Sequence, residues 1–152
     1  MVVISDSSCL IVLTNTGHLD ILRQTYGRIF TTPEVQSEYG MDLPEWIELK
    51  EPLDQAMVIR LKDVVDPGEA SAIALAIEME RSVVVLDDLA ARKLASRLEL
   101  PYTGTLGVLL KAKSIGVLNR VAPVLAELKR AGFRLSKEME EHVLQLANEV
   151  AA

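Results

Sequence analysis

Carboxylates stand wherever this chain turns from an apolar strand-like run into a helix-like one. Asp6 follows Val2-Val3-Ile4-Ser5, and Asp87 and Asp88 follow Val83-Val84-Val85-Leu86. Glu69 closes the helix start Asp66-Pro67-Gly68-Glu69, and Glu38 lies on the helix expected after Ile29-Phe30-Thr31-Thr32. Thr103 and Thr105 flank Gly104 at the end of a last short run. These are hard oxygen donors with no His or Cys among them, a set that suits Mg²⁺ or Mn²⁺ rather than zinc. A divalent ion held by clustered carboxylates can generate a hydroxide and stabilise charge on a phosphoryl oxygen. Without a cation, carboxylates packed together repel one another.

Each of these residues also has a plainer reading. Asp66 and Glu69 have the spacing of a capping box, in which Glu69 reaches back to the Asp66 backbone N–H. Asp6, and Asp87 or Asp88, could each cap a helix, a role worth about 1 kcal/mol. Glu38 alone reads as a solvated helix residue, and Thr103 and Thr105 as turn and cap residues. Convergence favours chemistry, since caps need not all fall at one edge of one sheet. His18 and His142 lie far in sequence from any nucleophile-like context, and Cys9, inside an apolar helix, reads as a small core residue. Neither a GxGxxG fingerprint nor a P-loop is present, so no nucleotide cofactor is expected.

The elements that must position these acids follow from apolar patterning. The runs 2–5, 29–32 and 83–86 read as buried strands, 46–49 as a weaker one and 101–103 as a short one. Helices are expected from about Ser8 to Thr14, around Leu19 and Leu22, after Pro33 with Thr32 as cap, over Ala70 to Ile77, from Asp88 through Arg97, and from Leu106 to Lys113. Two amphipathic stripes follow, Leu118/Val121/Leu125/Leu128 and Met139/Val143/Leu146/Val150, with Pro123 implying a kink or a late start in the first. Strands alternating with helices imply a parallel sheet covered on both faces, whose site forms beyond the carboxyl ends of the strands.

Composition bounds the rest. At 152 residues one domain is expected, with the C-terminal helices, about 117–150, packing on it or on a partner. Hydrophobic residues are 49% and charged residues 25%, which excludes disorder. Aromatics at 4% argue against a stacking platform for single-stranded nucleic acid. A lone cysteine rules out an internal disulfide. The N-terminus does not read as a signal peptide, and no apolar run is long enough to span a membrane, so a cytoplasmic protein is expected. The net charge of −6 is uneven: residues 1–76 carry 5 Lys/Arg against 12 Asp/Glu, whereas 81–134 carry 10 against 4. That basic stretch leaves room for a polyanion along one face.

In order along residues 2–115, Ile4-Ser5-Asp6-Ser7-Ser8, Thr32-Pro33-Glu34-Val35 through Glu38, Pro67-Gly68-Glu69-Ala70-Ser71-Ala72, Val85-Leu86-Asp87-Asp88 with Ala91-Arg92, and Thr103-Gly104-Thr105-Leu106-Gly107 resemble the PIN-domain family of metal-dependent ribonucleases. The likeness is to its small prokaryotic, toxin–antitoxin-type members, and Gly132-Phe133-Arg134-Leu135-Ser136 is similar to one uncharacterised subgroup. The resemblance implies a three-layer α/β/α sandwich around a parallel sheet of four to five strands, with acids binding Mg²⁺ or Mn²⁺ to cut single-stranded RNA. By position Asp6 is the first acid, Glu38 the second with Glu34 as alternative, Glu69 the third, and Asp87 or Asp88 the fourth. Arg92, Lys93, Arg97 and Lys111 would guide the RNA backbone, although Arg92 could instead pair with Asp88 at i,i+4. A small antitoxin and a homodimer are the implied partners. Two departures stand out: Ser8 where the family often has Asn, and Val85 where it often has Thr. They leave open a degenerate module that binds without cutting. A phosphotransfer receiver or a phosphatase is disfavoured, because no lysine follows the last strand and position 8 is not Asp.

Overall fold

A computed structural model describes residues 1–149. Five strands, β1 (Val2–Ser5), β2 (Ile29–Thr31), β3 (Ile47–Leu49), β4 (Ser82–Val85) and β5 (Tyr102–Thr103), form one sheet in the order β3-β2-β1-β4-β5. Every neighbouring pair is parallel. The helices are α1 (Ser7–Asn15), α2 (Asp20–Tyr26), α3 (Pro33–Tyr39), α4 (Gln55–Leu61), α5 (Pro67–Glu78), α6 (Leu89–Arg97), α7 (Thr105–Ser114), α8 (Ala122–Arg130) and α9 (Lys137–Leu146).

Successive strand residues point to opposite faces, so unbroken apolar runs are what a sheet covered on both sides requires. Val3, Ile29, Val83 and Val85 pack with side chains of α1, α2, α3, α7, α8 and α9. Ile4, Phe30, Val84 and Leu86 pack with α4, α5 and α6 on the other face. The result is the parallel sheet covered on both faces that the alternation implies, and the three-layer α/β/α sandwich that the resemblance implies. α5 is buried along nearly its whole length, Gly68 through Ala76, which accounts for its lack of a polar face.

Several boundaries differ from the sequence reading. Helix α4 stands in a stretch to which no element was assigned. It has only two buried residues, Val58 and Leu61, too few for a clear period, and Asp54 caps it by accepting from the Met57 N–H. Of the two outcomes expected of Pro123, the late start is the one found: α8 starts at Ala122, so the proline falls in its first turn, where no N–H is required. The stripes of α8 and α9 are turned inward at Val124, Leu125, Leu128 and Val143. Met139 and Leu146 stay exposed, and Val150 lies outside the described residues.

Glu149 secures the end of the described chain. Its carboxylate accepts from the backbone N–H groups of Val121 and Ala122 at 2.7 and 2.9 Å and from Lys113 Nζ at 2.9 Å. These bonds hold its carboxyl below the usual glutamate value despite its burial. The Lys113 ammonium also donates to the Ala147 carbonyl.

Candidate active site

Parallel strands place their carboxyl ends at one edge, and each connecting helix must start there to carry the chain back. Asp6 follows β1 directly, and Asp87 lies two residues beyond β4. The same edge receives the N-termini of α5, α6 and α7, and with them Glu69, Asp88 and Thr105. Because β1 and β4 are adjacent and in register from Val2↔Ser82 to Ser5↔Val85, Asp6 and Asp87 become neighbours.

Asp6 is 3% exposed. Its Oδ1 accepts from the Cys9 N–H at 3.0 Å, capping α1, and its Oδ2 accepts from the Asp87 N–H at 3.3 Å. Burial, and then the charge of Asp87, push its carboxyl up to about 7, against the opposing effect of those two backbone bonds. Asp87 is half-buried, with Oδ1 accepting from the Thr105 N–H at 2.8 Å and Oδ2 from the Thr105 hydroxyl at 2.6 Å. Gly104 leaves room for this arrangement, since a Cβ there would stand 2.9 Å from Asp87 Oδ1.

Glu69 is buried at the start of α5 and completes the capping box with Asp66, accepting from the Asp66 N–H at 3.3 Å. Burial first, then the charge of Asp66 and, more weakly, that of Asp88, raise it to about 8. Asp88 is exposed and caps α6, accepting from the Ala91 N–H at 3.0 Å. The plainer readings of Glu69 and Asp88 as cap residues are therefore realised, and Asp87 is the one of the aspartate pair that faces Asp6.

Glu38 is not a freely solvated helix residue. Oε1 accepts from the Ser7 hydroxyl at 2.8 Å and Oε2 from the Gly68 N–H at 2.9 Å. The second contact satisfies one of the N–H groups left open at the first turn of α5. It exists because position 68 has no side chain: a Cβ there would lie 2.2 Å from Glu38 Oε1. Glu34 pairs instead with Lys62 at 3.6 Å.

Among the described residues, no Lys or Arg pairs with Asp6, Asp66, Glu69, Asp87 or Asp88. No group of three or more His, Cys, Asp or Glu there is arranged to hold one metal ion. The acids share an edge, and two pairs of them are in direct hydrogen-bond contact: Asp66 with Glu69 within the capping box, and Asp6 with Asp87 between two strands, the Asp6 carboxylate accepting from the Asp87 backbone N–H. Two carboxylates are a common complement for Mg²⁺, which keeps several waters and takes further oxygens from a bound phosphate.

Arg92 makes no ion pair with Asp88. Its guanidinium lies 5.3 Å from the centre of the Tyr102 ring, beside Gly104 and Asp87. Lys93, Arg97 and Lys111 are exposed on α6 and α7. Cys9 is fully buried. His18 Nε2 contacts Glu127 Oε2 at 2.6 Å, tying the start of α2 to α8, and His142 is exposed on α9. The roles of Ser7, Gly68 and Thr105 as partners of the acids escaped sequence reasoning, because each contact joins segments far apart in the chain.

The sequence model of one protein family, described as DUF3368: PIN domain, matches residues 2–149. No curated protein and no solved structure gives a significant match.

Proposed function

The chain belongs to the PIN-domain family, whose members are generally nucleases, and we propose that it is a Mg²⁺- or Mn²⁺-dependent endoribonuclease that hydrolyses single-stranded RNA. One observation carries the proposal. Buried Asp6 stands against Asp87 at the carboxyl edge of the two central strands, and neither makes an ion pair with a Lys or Arg among the described residues. Two such groups fit a hard divalent cation by charge and donor chemistry, and the ion would offset the burial and the charge of Asp87 that together raise Asp6.

Asp6 and Asp87 would hold the ion, with Glu69 and Asp88 completing the acidic edge. When bound, it supplies an activated water and charge stabilisation for a phosphoryl oxygen. The protein's own groups do the positioning. The two bonds from Thr105 fix the rotation of Asp87. Glu38, bonded to Ser7 and Gly68, ties the start of α1 beside Asp6 to the start of α5 beside Glu69. Arg92, held over Tyr102 next to Asp87, is placed to meet a phosphate, and Lys93, Arg97 and Lys111 offer further positive charge. The family resemblance extends the proposal to a toxin of a toxin–antitoxin pair, with a small antitoxin as partner and a homodimer as assembly. Among the described residues no helix is long and apolar enough to cross a membrane, and a cytoplasmic location is part of the same proposal.

A second reading, a PIN module that binds RNA or a protein without cutting, draws on the capping box that engages Glu69. Calorimetric titration with Mn²⁺, wild type beside Asp6→Asn, followed by cleavage of mixed single-stranded RNA in the same buffer, separates the two. Binding and cleavage that both fall with Asp6→Asn support the nuclease. Binding without cleavage supports the second reading, and no Mn²⁺ binding removes the metal from both.

A further inference from the structure

A cleft of about 920 Å³ runs from the acidic edge between α1, α7 and the segment that joins α8 to α9. At one end it is lined by Asp87, Arg92 and Gly104, so it opens directly onto the candidate site. The segment that joins α8 to α9 contributes Phe133 and Arg134 to its lining, and α9 contributes His142. Apolar side chains, among them Ile11, Leu106 and Leu110, line much of the rest.

The charge of this cleft is unlike that of the rest of the molecule. The chain carries a net charge of −6, yet among the described residues Asp87 is the only acid lining the cleft, and it already belongs to the candidate site. Arg92 and Arg134, the Lys or Arg side chains in its lining, have no carboxylate partner among the described residues. Two unpaired arginines in a trough that opens onto a phosphodiester-cutting edge match a polyanion better than an apolar ligand. The apolar part of the lining suits the faces of unstacked bases, which a duplex would not expose. With so few aromatic residues the grip must come from charge more than from stacking.

We infer that this cleft carries single-stranded RNA on one side of the cut, with phosphates on Arg92 and Arg134 and a base against Phe133. The inference rests on the nuclease reading for its direction and adds the track that the RNA follows. It places a binding residue, Arg134, in the C-terminal segment rather than on the sheet edge.

The test is binding of a short fluorescein-labelled oligouridylate to the full chain, read by anisotropy in EDTA over a salt series. Wild type is set beside Arg134→Glu and beside Arg60→Glu, the same charge change on exposed α4 in the opposite layer. Arg134→Glu is expected to weaken binding roughly tenfold or more and to reduce the slope of log K against log salt by about 0.7 for each phosphate it no longer neutralises. Arg60→Glu should change binding less than about twofold, which is the allowance for net charge alone. Equal effects of the two substitutions, or none from Arg134→Glu, overturn the inference and leave the cleft to a protein segment. The nuclease reading is scored separately, by Mn²⁺-dependent cleavage with wild type. Cleavage with kcat/KM unchanged by Arg134→Glu sinks the track and keeps the nuclease. Binding through Arg134 without cleavage keeps the track and sinks the nuclease, and neither binding nor cleavage overturns both.

Discussion

Thr105 holds Asp87 at both carboxylate oxygens, through its backbone N–H at 2.8 Å and its hydroxyl at 2.6 Å. The fully buried threonine thereby fixes both the position and the rotation of an acid that is itself only half-buried. Thr105→Val keeps the shape and removes the hydroxyl bond. A hydrogen bond to a charged group contributes about 1.5–3 kcal/mol, so Mn²⁺ affinity should fall roughly tenfold, with Thr105→Ser restoring most of it. Calorimetry on the three proteins checks this, and equal affinities would show that Asp87 needs no orienting partner.

Asp6→Asn should move stability and metal binding in opposite directions. Asn can still cap α1 through its carbonyl oxygen and forfeits only the longer bond, 3.3 Å, from the Asp87 N–H, while the charge that is costly to bury is gone. At pH 8 without metal the variant should be more stable than wild type by about 1–3 kcal/mol, and its Mn²⁺ affinity should be lower by roughly tenfold or more. Denaturant unfolding in EDTA and calorimetry measure the two effects. A variant less stable than wild type at pH 8 would mean that Asp6 serves the fold first.

The raised acids set the pH dependence. Folding lifts Asp6 from 3.8 to about 7 and Glu69 from 4.5 to about 8. Between about pH 4 and pH 8 the folded state therefore keeps protons that the unfolded chain has released. Their stabilising effect is complete below about pH 4 and is lost as pH rises to 8, at up to roughly 1.4 kcal/mol per pH unit for each proton. Metal binding has the opposite slope, because the ion needs the deprotonated carboxylates. Melting temperature in EDTA should fall, and Mn²⁺ affinity should rise, from pH 5 to pH 8. A melting temperature that climbs over that range contradicts the picture.

Glu38 distinguishes positioning from ligation. In Glu38→Gln the amide could still accept from the Gly68 N–H through its carbonyl and donate its NH₂ to Ser7, whereas Glu38→Ala makes neither contact. If Glu38 acts by tying α1 to α5, Glu38→Gln should keep Mn²⁺ affinity within about threefold of wild type, and Glu38→Ala should lose more. Gly68→Ala should resemble Glu38→Ala in binding, because its Cβ displaces the Glu38 carboxylate. Its net stability change should be about 1 kcal/mol or less, since alanine's helix preference offsets the lost bond. An affinity for Glu38→Gln as low as that of Asp6→Asn would make Glu38 a ligand.

Glu149→Ala should lower stability by about 1–2 kcal/mol, because it opens the first turn of α8 and leaves Lys113 without its carboxylate. Thermal melting tests this. Mn²⁺ affinity should be unaffected, as Glu149 lies outside the acidic edge.

What could be read from the sequence was what local physics encodes. The β-branched runs ending in Asp6 and Asp87, the capping-box spacing of Asp66 and Glu69, and the buried stripe of α5 each depend on residues within a few positions of one another. The parallel sheet followed from the alternation of those patterns. What could not be read depends on strand order. Only when β1 lies between β2 and β4 do Asp6 and Asp87 meet, and only the fold shows Asp87 rather than Asp88 facing Asp6. The grip of Thr105 on Asp87, the seat of Glu38 on Gly68 and the cleft beside Arg134 join segments with no local pattern in common. α4 escaped notice because seven residues with two buried positions give no period to detect.

The adjacency of β1 and β4 also bears on biosynthesis. Asp6 leaves the ribosome well before the strand that brings Asp87 beside it, with β2, β3 and α1 to α5 all made in between. Thr105, which orients Asp87, follows later still. Neither a nascent chain that stops short of β4 nor a fragment cut before it contains the acid pair, so the proposed RNA cleavage would be absent until synthesis has passed residue 105.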